Sequence, residues 1–201
     1  MRIGLFGGSF DPVHLGHLWM AESALECLSL DEVHWIPAAQ SPLKPTAPIA
    51  TDEQRLMMIR LALGGAPQHV IDTRELERGE LSYTARTVQE ICDENPSNHY
   101  YFIAGSDSLA SMPNWFMPEE LLSRVTLSIV HRGGDPKPDY SVLDRIVDQP
   151  TIEIIREAEI RMPAIELSSS AIRKRLKNGQ SVRYQMPHAV AAYLNNEKIY
   201  R

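Results

Sequence analysis

The strongest constraint on this chain is the way its first apolar run ends. Ile3, Leu5 and Phe6 read as a short buried strand, which gives way at once to Gly7-Gly8-Ser9-Phe10-Asp11-Pro12-Val13-His14-Leu15-Gly16-His17. Beyond it, Leu18, Ala21, Leu25 and Leu28 recur at helical spacing. A strand, a tight glycine-rich turn and the first turn of a helix therefore follow one another within the opening residues. That is the start of a strand–helix–strand unit, and such units build parallel sheets covered by helices.

This junction suits a phosphate. Gly7 and Gly8 let the backbone bend sharply and approach a ligand with no Cβ between them. The free amides and positive dipole end of the following helix attract an anion. Asp11-Pro12 enforces a turn, because proline fixes its own φ and keeps the preceding residue out of the α region. His14 and His17 are three apart and share one face at the helix start. Two imidazoles there can donate hydrogen bonds to phosphate oxygens as negative charge builds on them. The same pair could serve as a helix cap plus a core residue, or as half of a metal site, although no Cys, His or carboxylate cluster accompanies it. No Gly-Lys-Ser/Thr follows, so the turn is not a Walker loop, and it lacks the Gly-x-Gly-x-x-Gly of dinucleotide folds.

Strand and helix patterns alternate through the rest of the chain. Strands are expected at residues 33–37, 69–72, 99–104 and 125–130, with a weaker one at 151–155. Helices are expected at 16–28, at 51–63 with Leu56, Ile59 and Leu63 inward, after a Thr84 cap, at 118–123, from Ser168 to Leu176 and at 187–194. Residues 38–50 carry Pro42, Pro45 and Pro48 and read as a long stiffened loop. The fold class that follows is α/β: a Rossmann-like, doubly wound parallel sheet with helices on both faces, one domain over residues 1–201. Ligands in such sheets bind at the carboxyl ends of the strands, where strand order reverses. The opening motif and Gly105-Ser106-Asp107 both occupy such ends.

The 201 residues suffice for one ample core. A formal charge of −6 argues against general nucleic-acid binding, which wants a basic face. No apolar stretch approaches membrane-spanning length and no signal peptide opens the chain, so a cytoplasmic protein is expected. Cys27 and Cys92 are too few for a disulfide framework and are expected to be buried thiols.

Three further stretches carry candidate chemistry. Ser168, Ser169 and Ser170 can cap helix amides, and Arg173 stands one turn in, where its forked donors suit phosphate oxygens. Lys44 lies in the proline-framed loop. Asp107, behind the best strand, can accept hydrogen bonds from ribose hydroxyls, and Trp115 offers a flat wall for a ring; each of these also has a plain structural reading as cap, solvated lysine, turn or core.

The string Gly-x-Phe-Asp-Pro-x-His-x-Gly-His at residues 8–17 resembles the signature of the nucleotidyltransferase superfamily of adenylyl- and cytidylyltransferases. Leu167-Ser168-Ser169-Ser170-Ala171-Ile172-Arg173 resembles its second motif, with Leu167 and Ser170 as mild departures. Ser82-Tyr83-Thr84 resembles a segment of bacterial nicotinate-nucleotide adenylyltransferases, where Pro commonly stands in place of Leu81. The resemblance covers essentially the whole chain. It implies transfer of the adenylyl group of ATP, bound with Mg²⁺, to nicotinate mononucleotide, giving deamido-NAD and pyrophosphate. His14, His17, Lys44 and Arg173 would be catalytic. Gly7, Gly8, Ser9, Phe10, His17, Gly105, Asp107, Ser168, Ser169, Ser170 and Arg173 would bind ATP, with helices from residue 168 onward completing that site. Ser9, Lys44, Ser82, Tyr83, Thr84 and Trp115 would bind the acceptor. Another phosphate acceptor, such as nicotinamide mononucleotide or phosphopantetheine, and a nucleotide sensor without catalysis remain as alternatives, and the oligomeric state stays open.

Overall fold

A computed structural model describes residues 1–44 and 46–201; Pro45, in the proline-rich loop, lies outside the described residues. Six strands form one sheet: β1 (Arg2–Gly8), β2 (Glu32–Pro37), β3 (His69–Ile71), β4 (His99–Gly105), β5 (Thr126–Arg132) and β6 (Ile160–Met162). All neighbours pair in parallel, in the order β3-β2-β1-β4-β5-β6. Chain direction across the sheet reverses between β1 and β4, so the first glycine turn and the end of β4 flank the same crevice.

Side chains alternate along the strands into two cores. Ile3 and Leu5 of β1, with Tyr100, Phe102 and Ala104 of β4, pack under α4 (Thr84–Glu94), α6 (Pro118–Arg124) and α7 (Gln149–Glu157). Phe6 and Ile103 face the other way, toward α1 (Leu15–Cys27), α2 (Asp52–Leu63), α8 (Ser169–Lys177) and α9 (His188–Asn196). Strands covered on both faces need apolar residues at nearly every position, which is why these runs stand out in the sequence. The short helices α3 (Arg74–Arg78) and α5 (Ser106–Ser111) complete the set.

Several local expectations change. Residues 151–155 are helix, not strand. Asp148 caps the N-terminus by accepting from Thr151 N at 3.0 Å, Pro150 sits in the first turn, and Ile152 and Ile155 point inward at helical spacing. The last strand comes later, as β6. Thr84 is the first helical residue of α4 rather than its cap, which is Tyr83. Gly105-Ser106-Asp107 opens helix α5 instead of forming a free turn. The inward face of α2 is Arg55, Met58 and Ile59, leaving Leu56 and Leu63 half-buried. Cys27 is exposed and Cys92 half-buried, so neither is the fully buried thiol expected.

Candidate active site

The turn after β1 is braced from four sides. The Gly8 carbonyl accepts from Ala38 N at 2.9 Å. Arg55, fully buried on α2, donates from Nη1 to the Ser9 carbonyl at 2.8 Å. Lys44 reaches over from its loop and donates from Nζ to Ser9 Oγ at 3.0 Å. The Phe10 ring is buried against Phe6, Trp35 and His17, so the ring itself is core and only the backbone of Phe10 faces outward chemistry.

Asp11 is the hub behind this turn. Its carboxylate is buried, accepting at Oδ2 from Ile49 N at 2.9 Å and at Oδ1 from Ala50 N at 3.0 Å and from the Tyr200 hydroxyl at 2.6 Å. Its main-chain oxygen accepts from Arg173 Nη1 at 2.7 Å. One residue on, the Pro12 carbonyl accepts from Ser169 Oγ at 2.9 Å. The late serine-rich helix is thereby docked on the first motif. Ser168 is the N-cap of α8, accepting from Ala171 N at 3.2 Å, and Ser170 Oγ accepts from Arg173 Nη2 at 3.3 Å.

His14 caps α1, and its imidazole stacks on that of His17 with centroids 3.7 Å apart. The backbone N–H of His14 donates to His17 Nδ1 at 3.2 Å. Gly16 makes room for this: a Cβ there would come within 3.0 Å of His14 Nδ1 and 3.1 Å of Cε1. Burial pushes the His14 pKa down to about 4, with the Arg132 cation adding to the effect. His17 is held well below the ordinary 6.5, first by burial and then by His14, Arg132 and Lys44. Both rings are therefore neutral at neutral pH. Arg132, the last residue of β5, is half-buried and has no carboxylate partner among the described residues; its Nη2 lies 3.9 Å from Met20 Sδ.

On the β4 side, the Asp107 carboxylate lies over Gly105. A Cβ at Gly105 would sit 2.6 Å from Asp107 Oδ1, so any larger residue there would turn the carboxylate aside. Ser82-Tyr83-Thr84 is stitched to the segment after β2: Ser82 N donates to Gln40 O at 2.8 Å, and Ala39 N donates to Ser82 Oγ at 3.0 Å. The buried Ser82 hydroxyl also faces Glu75, whose carboxylate accepts from Thr87 Oγ1 at 2.7 Å and whose pKa is raised by burial. What this segment offers outward is Tyr83, Thr84 and the first amides of α4. Those amides have no intrahelical acceptor, and the Tyr83 side chain supplies none. The Tyr83 ring lies 4.7 Å from Phe116, next to Trp115, which rests edge-on against Phe102 and donates from Nε1 to Ser111 Oγ at 3.1 Å.

The structure therefore joins His14 to His17, Lys44 to Ser9, and Arg173 and Ser169 to the first turn. Asp11, Arg55, Arg132, Glu75 and Tyr200 are the site residues that sequence reasoning passes over. Asp11 alone has a signal in the sequence, as part of the motif, where its neighbour Pro12 points only to a turn. Among the described residues no three His, Cys, Asp or Glu side chains converge as metal ligands, and no helix is long and apolar enough to cross a membrane.

The cytidylyltransferase-like family model matches residues 5–175. A probable nicotinate-nucleotide adenylyltransferase of Rhodopirellula baltica is 53% identical over 99% of this chain and 93% of its own length. One from Geobacillus thermodenitrificans is 36% identical, with 99% and 86% covered. In fold, the chain resembles the Plasmodium falciparum nicotinic acid mononucleotide adenylyltransferase complexed with NaAD. The TM-score is 0.76 at 19% identity, covering 99% of this chain and 97% of that one.

Proposed function

The chain belongs to the nicotinate-nucleotide adenylyltransferases of the cytidylyltransferase-like family, and we infer that it joins ATP to nicotinate mononucleotide, releasing pyrophosphate and forming nicotinate adenine dinucleotide. The whole chain acts as one nucleotidyltransferase unit, with the helices from residue 168 completing the ATP side.

The observation that carries the mechanism is the bond from His14 N–H to His17 Nδ1. A neutral imidazole has one N–H, and with Nδ1 accepting, the proton resides on Nε2. His17 therefore presents a donor to the α-phosphate oxygens without carrying charge of its own. The acceptor's phosphate is already a nucleophile, so its oxygen attacks the α-phosphorus in line as the bond to pyrophosphate breaks, with no covalent intermediate and no strong base. Catalysis is alignment plus stabilisation of the charge that moves onto the leaving oxygens. Lys44 and Arg173, with Arg132 beside the histidines, supply the cations for those oxygens, and the amides around Gly8 and Ser9 hold the phosphates. Ser168 and Ser170 offer hydroxyls, and Ser169 its helix-start amide, to the triphosphate. With no cluster of three His, Cys, Asp or Glu side chains among the described residues, Mg²⁺ would come with ATP and would help neutralise the phosphate charge, while Lys44, Arg173 and the serine-rich helix start hold the phosphates. Asp107 accepts from ribose hydroxyls, with Gly105 giving it room.

For the acceptor, the N-terminal amides of α4 at Thr84 and beyond favour a carboxylate over a carboxamide, since the helix end attracts negative charge and donates only. Trp115, with Tyr83 nearby, walls the ring. Two free thiols, one exposed, suit a reducing compartment such as the cytoplasm.

The test is pyrophosphate release from Mg-ATP with nicotinate mononucleotide, its amide counterpart and phosphopantetheine in turn. Selective turnover of the acid, with a product of nicotinate adenine dinucleotide mass, is expected. Preferential turnover of another acceptor would overturn the specificity, and nucleotide binding without pyrophosphate from any of them would overturn the activity.

A further inference from the structure

Arg173 stands beside two acceptors on one residue. Its Nη1 donates to the Asp11 main-chain oxygen at 2.7 Å and stays 3.6 Å from carboxylate Oδ2. A guanidinium next to a buried carboxylate ordinarily closes into a direct bidentate pair, which would spend the donors that a phosphate needs. Here the carboxylate is already engaged. Ile49 N serves Oδ2, and Ala50 N together with the Tyr200 hydroxyl serves Oδ1. Tyr200 is the shortest of these bonds, at 2.6 Å, and it comes from 189 residues away.

The chain strains to place it. Lys198 and Tyr200 both adopt left-handed backbone conformations, with φ of 54° and 66°, a region that non-glycine residues occupy at a cost. The ring is buried in the core that also holds Phe10 and Val13. Burial and the Asp11 carboxylate push the phenol far above its usual range, so it stays protonated and donating.

We propose that Tyr200 is a positioning residue for ATP: by satisfying the Asp11 carboxylate it keeps Arg173 on the main-chain oxygen, with its remaining N–H donors turned to the nucleotide. The inference rests on the reading of Arg173 as an ATP-phosphate ligand. Without the hydroxyl, Oδ1 of the buried carboxylate loses a donor, and the Arg173 guanidinium, already 3.6 Å from Oδ2, is drawn onto the carboxylate.

The test uses Tyr200→Phe, Arg173→Ala and the double variant of the full chain, with Mg-ATP binding measured in the absence of acceptor and both KM values measured in turnover. Tyr200→Phe keeps the ring in the core. It should weaken Mg-ATP binding and raise the ATP KM roughly tenfold, and lower kcat by no more than Arg173→Ala does, with the acceptor KM within about twofold of wild type. In the Arg173→Ala background the same change should have almost no further effect. If Arg173→Ala binds Mg-ATP as wild type does, the reading of Arg173 fails and the proposal with it. If Arg173→Ala weakens binding but Tyr200→Phe does not, or Tyr200→Phe acts equally in both backgrounds, the proposal alone fails. A parallel rise in acceptor KM would mark general loosening and would also overturn it.

Discussion

His14 gives its backbone N–H to Nδ1 of His17 while the two imidazoles stack at 3.7 Å. One hydrogen bond thus leaves the proton of the neutral second imidazole on Nε2, and burial keeps that ring neutral. Removing that donor, in His17→Ala, should lower kcat by about a hundredfold or more with little change in nucleotide affinity. Because the pKa of His17 lies well below 6.5, the wild-type rate should run level through pH 6.5. A half-titration of kcat near pH 6.5 would show that an ordinary, solvated imidazole is at work.

The same burial makes the fold sensitive to acid. The His14 pKa is about 4 in the folded chain against 6.5 for the free group, so the unfolded state binds more protons in between. Stability is then fully present above pH 6.5 and is lost as pH falls toward 4, by about 3 kcal/mol for a shift of this size. Urea midpoints at pH 7, 6 and 5 should fall more steeply for wild type than for His14→Gln. Equal slopes would place the acid sensitivity elsewhere.

Gly16 is the position where a single methyl should reach the chemistry. Its Cβ would crowd the His14 ring at 3.0 and 3.1 Å, and because that ring stacks on His17, the displacement is handed on. Gly16→Ala should leave the fold in place and lower kcat by a few fold, the His14 ring giving way by a few tenths of an ångström and passing the shift to His17. Steady-state kinetics alongside a thermal melt would separate this from unfolding, which lowers the melting temperature and the active fraction together.

Arg55 should prove more important to the turn than to overall stability. It is fully buried and holds the Ser9 carbonyl at 2.8 Å. Arg55→Met keeps much of the volume and loses this bond together with the Nη2 contact to Asp52 Oδ1, so a stability loss of roughly 1–3 kcal/mol is expected. The Lys44–Ser9 contact depends on the same turn, so kcat/KM should drop by more than that stability loss implies for a fully folded sample. Unchanged kcat/KM in the folded variant would make Arg55 a packing residue only.

The features legible in the sequence are those with local causes. Apolar runs closed by glycine marked β1 and β4, and the serine cap with Arg173 one turn on marked α8, because each depends on neighbours in the chain. Residues 151–155 misled for the same reason. Thr-Ile-Glu-Ile-Ile is rich in β-branched residues, yet Asp148 and Pro150 just upstream start a helix, and Ile152 and Ile155 bury their side chains on one face of it. Arg55 was out of reach because an arginine on an apolar helix face reads as solvent-facing until its partner is known. The roles of Asp11 and Tyr200 depend on a contact across almost the entire chain, which no local pattern records.

The docking of α8 on the first turn has a consequence beyond chemistry. Ser169 reaches Pro12 and Arg173 reaches Asp11 across 157 and 162 residues, and Ile172 and Leu176 of α8 share a core with Phe10 and Val13, so two segments made at opposite ends of synthesis are held together by burial and by polar contacts. Ordering so long a loop costs entropy, and a nucleotide seated across both segments, as proposed, would add its binding free energy to the closure. ATP is then a removable rivet as well as a substrate. Limited proteolysis of the late helices should therefore slow when Mg-ATP is present.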